Sequence, residues 1–286
     1  MALPAPHSRR HFLRTCAAAA LAAPVVARGA DERATLEILA DTKGWGAATP
    51  QEISAVVQSA GGELWRWCAG EMIRPVRVYH RVDFPQTDFT HDWRGRIRVG
   101  LASEDRRWAQ MAFQFGHEFI HVLAQHSASA RRAWRAPRHA NLWFEEALCE
   151  TASLFTLRRM AASWATEPPY PHWRDYAPKL ADYAAERLAR DEHRPPDGVT
   201  FAEWFRAHEA HLRVHPVDRA KNVIVARHML PILEAEPRLW PAACYLNLGR
   251  RDREKPRAQY FAEWQTASPP SLRALVSRIE ILFRDP

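Results

Sequence analysis

The spacing of apolar positions changes period several times along the chain. From about residue 32 to 69 the pattern is helix-like. Thr49-Pro50 supplies a cap and a start, and Ile53, Val56, Val57 and Leu64 follow at helical intervals. The period then becomes two. Across Val76–Val82 one face carries Val76, Val78, His80 and Val82, and the other carries Arg77, Tyr79 and Arg81. Across Arg96–Leu101, Ile97, Val99 and Leu101 oppose Arg96 and Arg98. These segments predict two strands of a small sheet, joined by a polar loop containing Pro85, Asp88 and Gly95.

The helical period returns at Ser103, which opens a helix with Glu104 and Asp105 in its first turn, where the helix dipole favours acids. Its apolar stripe is Trp108, Met111, Ala112, Phe115, Phe119 and Val122, and it should end near His126. A basic loop with Arg131, Arg132, Arg135, Pro137 and Arg138 precedes a second helix from about Leu142 to Met160. Pro168, Pro169 and Pro171 interrupt the pattern and suggest a domain boundary. Beyond it, Asp175–Arg190, Phe201–Leu212, Arg219–Glu234 and Pro270–Phe283 read as helices. The expected fold is α+β: a small N-terminal sheet packed on a two-helix core within residues 28–165, then an all-α region over 166–286.

Residues 1–27 read as an address. SRRHFLR, residues 8–14, looks like the twin-arginine export motif, and the mild apolar run TCAAAALAAPVVA follows it. Val25 and Ala27 are placed for cleavage after Ala27. The run is too short for a stable membrane anchor, and Cys16 precedes it, which argues against a lipoprotein. The expectation is a protein exported to a bacterial cell envelope by the twin-arginine route, already folded.

That removal also changes the charge. The chain carries 40 Lys+Arg against 33 Asp+Glu, a net +7, of which Arg9, Arg10 and Arg14 lie in the leader. The mature chain would hold 37 bases against the same 33 acids, about +4. With no basic stripe interleaved with aromatics, no nucleic-acid partner is expected. Cys68, Cys149 and Cys244 remain after cleavage, without a CxxC pair. They allow one bridge at most, Cys68–Cys244, or three buried thiols.

His117-Glu118-Phe119-Ile120-His121 is an HExxH string on the predicted amphipathic helix. The i, i+4 spacing puts both imidazoles on one face, where two nitrogens can meet one ion at ~2.0–2.1 Å. Glu118 lies about 100° round the helix and can reach a water there without ligating the ion. A catalytic zinc needs a third protein ligand and an open position. His126 follows His117 by nine residues, one short of the metzincin spacing, and Ala124 stands where that motif needs glycine. His139 in the basic loop and the acids of WFEEALCE, residues 143–150, are the other candidates.

HEFIH followed by Trp143-Phe144-Glu145-Glu146-Ala147 resembles the gluzincin superfamily of zinc metallopeptidases, which includes thermolysin and the aminopeptidase N-like enzymes. The resemblance covers residues 74–160 and extends more weakly over 201–248. It implies a zincin core with one Zn2+ per chain, held by His117, His121 and Glu146, with Glu118 as general base. Glu150 would be the acid that hydrogen-bonds a zinc histidine, and Glu145 would point elsewhere, into solvent. The implied partner is a peptide or protein substrate, added as an extended strand along Arg96–Leu101 as the edge strand above the cleft. The chain departs from the aminopeptidases in two respects. It has no Gly-x-Met-Glu-Asn strand, and no tyrosine in Val217–Val223 to stabilise an oxyanion. His215, Lys221, Asn222 and Tyr176 are the candidates for that role. A catalytically silent zincin-fold envelope protein that binds peptide or cell-wall material is the alternative. A helical envelope protein in which HEFIH is accidental is a further one.

Overall fold

The computed structural model describes residues 35–130, 140–250 and 252–284. The segment read as an export leader, the basic loop and His139 lie outside the described residues.

Four strands among the described residues form one mixed sheet: β1 (Ile38–Ala40), β2 (Val76–His80), β3 (Gln86–His91) and β4 (Ile97–Leu101). Their order is β1-β2-β4-β3. β1, β2 and β4 run parallel, and β3 pairs antiparallel with β4. Val76, Val78, Ile97, Val99 and Leu101 are fully buried, as the two-residue period requires. Among the described residues eight α-helices accompany the sheet: α1 (Pro50–Trp65), α2 (Trp108–His126), α3 (Leu142–Trp164), α4 (Ala177–Ala189), α5 (Phe201–Val214), α6 (Arg219–Ala235), α7 (Arg257–Ala267) and α8 (Pro270–Ile281). The α+β class therefore stands. One buried apolar cluster draws on residues from Leu36 to Phe283, on both sides of the three prolines.

Several expectations need correction. β4 is an interior strand; the edge beside it is β3, which falls within the stretch read as a loop. Its sequence QTDFTH is polar, yet the chain turns back through Asp92. The Asp92 carboxylate accepts the backbone N–H groups of Arg94 and Arg96 at 2.9 Å each, while Gly95 takes φ +75°. The segment before α1 is not helical throughout, because β1 occupies it. α1 itself starts at Pro50 with a full capping box between Thr49 and Glu52. β2 stops at His80, short of Val82.

α2 begins at Trp108, five residues later than Ser103. Asp105 sits in the left-handed region at φ +58°, its side chain accepting the Ala47 N–H at 2.8 Å. It thus belongs to a loop tied to the α1 approach, not to a first helical turn. α3 continues past Met160 to Trp164, whose indole N–H donates to Ser59 Oγ at 2.7 Å.

α2 and α3 are the buried pair at the centre. They approach closely at Gly116, where an added Cβ would lie 3.1 Å from Thr156 Oγ1 and 3.2 Å from Ser153 Cα. Ser153 fastens the contact by donating to the Phe113 carbonyl at 2.8 Å. The next residue after Gly116 is His117.

Candidate metal centre

His117 and His121 stand one turn apart on α2, with ring centroids 5.3 Å apart. Facing them across the helix pair is the first part of α3, which carries Glu145, Glu146, Cys149 and Glu150. The Glu146 carboxylate reaches both rings: Oε2 lies 3.3 Å from His117 Nε2, and Oε1 lies 3.6 Å from His121 Nε2. Nitrogen and oxygen ligands of a tetrahedral zinc would sit ~3.4 Å apart, given bond lengths near 2.0–2.2 Å. His117, His121 and Cys149 also place one ligand atom each within 4.8 Å of one another. This His/His/Cys group could hold a metal ion.

Acids also face the far ring nitrogens, one at hydrogen-bond distance and one beyond it. His121 Nδ1 is 2.7 Å from Glu145 Oε1. His117 Nδ1 is 3.7 Å from Glu150 Oε1, too long for a direct hydrogen bond. The expectation that Glu145 points into solvent is therefore overturned: it is 2% exposed. Asn247 donates to its other oxygen at 2.8 Å, so the carboxylate bridges α2 to a distant loop. An acceptor on Nδ1 leaves Nε2 as the free lone pair, the arrangement that orients a metal-binding histidine.

Burial pushes the Glu146 carboxyl up, but the His117 contact and the charges of His121, His117 and Arg219 outweigh it and bring it down to about 2. Burial likewise opposes charge on His121, yet Cys149, Glu145 and Glu146 together raise it well above the ordinary histidine value. Glu145 is raised by burial and lowered further by His121 and Asn247. Burial also pushes the Cys149 thiol up, with His121 pulling against it.

Glu118, 3% exposed, lines the same cavity as His117, His121 and Glu146. Thr87 Oγ1, on β3, lies 3.0 Å from the Glu118 carboxylate and 2.9 Å from its carbonyl oxygen, one proton shared between two acceptors. Glu150 is paired with Arg219 at 3.1 Å and with Arg187 at 3.8 Å. Arg187 is itself buried and lies over the Phe113 ring.

The cavity holds about 550 Å³. Phe84, Pro85 and Phe89, at and just before β3, line it together with Pro216, Val217, Arg219 and Asn222, at and just before the start of α6. Of the four oxyanion candidates, Asn222 lines it, with Nδ2 donating to the Pro216 carbonyl at 2.7 Å and Oδ1 making no hydrogen bond. Lys221 is paired with Asp218 at 3.0 Å, and His215 packs on His211. Tyr176 is elsewhere, accepting the Ala109 N–H at 3.2 Å beside a separate hollow. Arg219 was not among the candidates, although its place one residue after the Asp218 cap of α6 offered a signal. His126 lies 3.0 Å from the Asp88 carbonyl oxygen through Nε2 and packs on His91.

No protein-family model, curated protein or solved structure matches this chain. The geometry has to speak for itself. Three carboxylates, those of Glu145, Glu146 and Glu150, lie against two imidazoles, a fourth, that of Glu118, lines the same cavity, and the arginines nearby are Arg187 and Arg219. His117 Nδ1 and both Glu150 oxygens are buried without a hydrogen bond. Such an excess of buried acid is what a bound cation would compensate. The donor set fits an ion of borderline softness, with imidazole, carboxylate and sulfur all within reach. Cys68 and Cys244 lie apart from it as buried free thiols, where interaction with Cys244, reinforced by burial, raises the Cys68 thiol.

Proposed function

We propose that the chain is a zinc-dependent metallopeptidase, exported through its twin-arginine leader. His117, His121 and Glu146 would hold the ion. The observation that carries this reading is one carboxylate, Glu146, facing both imidazole Nε2 atoms while Glu118 opens into the same cavity. Bound zinc would supply a Lewis acid for a peptide carbonyl and lower the pKa of a water toward ~7.

The chain's own residues do the rest. Glu118 accepts the proton of the attacking water and delivers it to the leaving amine, held in place through its contact with Thr87. Glu145 fixes the His121 ring through Nδ1, and Glu150, with Arg219 beside it, does the same for His117 less directly. Phe84, Phe89 and Val217 keep the cavity mouth apolar and limit water. The exposed edge of β3 is where an extended peptide would pair, in place of the interior β4.

The test is elemental analysis with a peptidase assay. Wild-type protein should carry about one zinc per chain and hydrolyse a generic peptide substrate. Glu118→Gln should keep the metal and lose hydrolysis, because an amide cannot take the proton. Protein purified without metal, or metal undisturbed by His117→Ala, rejects the reading. One observation favours the silent-binder alternative: no tyrosine is present among the described residues lining the cavity. That reading predicts zinc and peptide binding without turnover.

A further inference from the structure

The charges around the cavity are unevenly matched. The described residues that line it include four glutamates, several apolar side chains and one Lys or Arg, which is Arg219 at the start of α6. Its Nε lies 3.1 Å from Glu150 Oε1, the oxygen that also faces the His117 ring. One carboxylate oxygen thus links this cation to the metal centre. Among the described residues it has no other hydrogen-bond or ion-pair partner. A guanidinium carries five N–H donors, so a contact through Nε leaves the four on its two terminal nitrogens.

Glu150 has a second cation to balance it. Arg187 faces its other oxygen at 3.8 Å from a side chain 11% exposed, whereas the Arg219 side chain is 50% exposed. The other acids nearby are engaged as well. Glu145 meets His121 and Asn247, and Glu146 faces both imidazoles. Phe84, Phe89 and Val217, all exposed, surround the cation with apolar surface, where an ion pair is stronger than in open water.

We propose that Arg219 recognises the substrate, and that the peptides selected carry a carboxylate close to the bond that is cut. The inference rests on the metallopeptidase reading above and adds its substrate class. The carboxylate belongs to the C-terminus or to an Asp or Glu side chain. Both present the planar pair of oxygens that a guanidinium fork meets with two N–H groups. The terminal nitrogens make that contact while Nε stays on Glu150.

The competing role is internal, with Arg219 steadying Glu150 and, through it, His117. That role acts on every peptide alike, whereas recognition acts on charged peptides alone. One short apolar peptide in four forms separates the two on the full mature chain loaded with zinc. The forms are the free acid, the C-terminal amide, the amide with one Glu, and the amide with Gln in its place. Wild type should cleave the free acid or the Glu form about tenfold or more faster in kcat/KM than its neutral twin. The favoured pair names the source of the carboxylate. Arg219→Ala should erase that ratio, whatever it does to the absolute rates. Arg219→Lys should keep part of it, because a point charge remains without the fork. Calorimetry on Glu118→Gln should show the same preference in Kd.

Equal handling of charged and neutral forms by wild type, or a preference that survives Arg219→Ala, overturns the inference. Failure of the parent reading looks different. A wild-type chain that takes up no zinc rejects both. A zinc-loaded chain that binds the charged form over its neutral twin but cleaves neither rejects turnover alone and keeps the role of Arg219.

Discussion

Three acids within six residues, Glu145, Glu146 and Glu150, touch two histidines, and each touches them at a different atom. Glu146 meets both Nε2 atoms, so Glu146→Ala should remove most zinc affinity. Glu145→Ala should weaken it by ~10–100-fold, because His121 loses the acceptor that orients it and Asn247 loses its partner. A competitive chelator titration of the two variants checks the order, and equal affinities would show that Glu146 is not the ligand. The pairing of Glu145 with Asn247 could not be read from the sequence. On a helix Glu145 and Glu146 point about 100° apart, which correctly excludes both from one ring atom. It does not exclude one acid at Nε2 and the other at Nδ1. What makes Glu145 buried is a side chain 102 positions away, which no local period can register.

At the scale of elements, the closeness of α2 to α3 depends on Gly116. Adding a methyl there presses on the Ser153 backbone, which cannot swing aside as a flexible side chain would. Gly116→Ala should cost about 1–3 kcal/mol in chemical denaturation and reduce zinc affinity, since His117 is the adjacent residue. A variant as stable as wild type would mean that the helix pair yields freely. The β3–β4 turn makes a separate prediction. Slight burial raises the Asp92 carboxyl, but the Arg96 and Arg94 backbone N–H groups and the Arg96 side chain bring it down to about 2. A depressed carboxylate stabilises the fold fully above its ordinary value of 3.8 and loses that contribution as pH falls toward about 2. Asp92→Ala should therefore lower the melting temperature at pH 7 and make much less difference near pH 2. The helices with strong caps and stripes were legible because their signals are local, as Thr49 and Glu52 show. β3 was not, because its inward residue, Thr87, is polar and faces Glu118 instead of an apolar core.

Across the whole molecule, the two residues before Glu145 tie the centre to the C-terminal helices. Phe144 is fully buried against Tyr260, Phe261, Trp264 and Phe283, and Trp143 packs on Phe205 and Phe283. Phe144→Ala should destabilise the protein by about 3–5 kcal/mol and, by loosening the start of α3, weaken zinc binding as well. Destabilisation without any change in zinc affinity would show that the ligand helix holds its place without this support.

The location of the candidate ligands on two core helices has a thermodynamic consequence. In the unfolded chain His121 and Glu146 are separated by 25 positions of flexible backbone, and the donors do not converge. An ion bound only to the native state adds RT ln(1 + [L]/Kd), ~2.7 kcal/mol at a hundredfold excess over Kd. For a chain of this size that is worth roughly 2–4 °C per kcal/mol in melting temperature. Scanning calorimetry across a series of buffered free-zinc concentrations should then give a melting temperature that climbs with the logarithm of zinc activity. Its slope would report the number of ions released on unfolding, which turns the heat stability of the protein into a gauge of the metal supply around it.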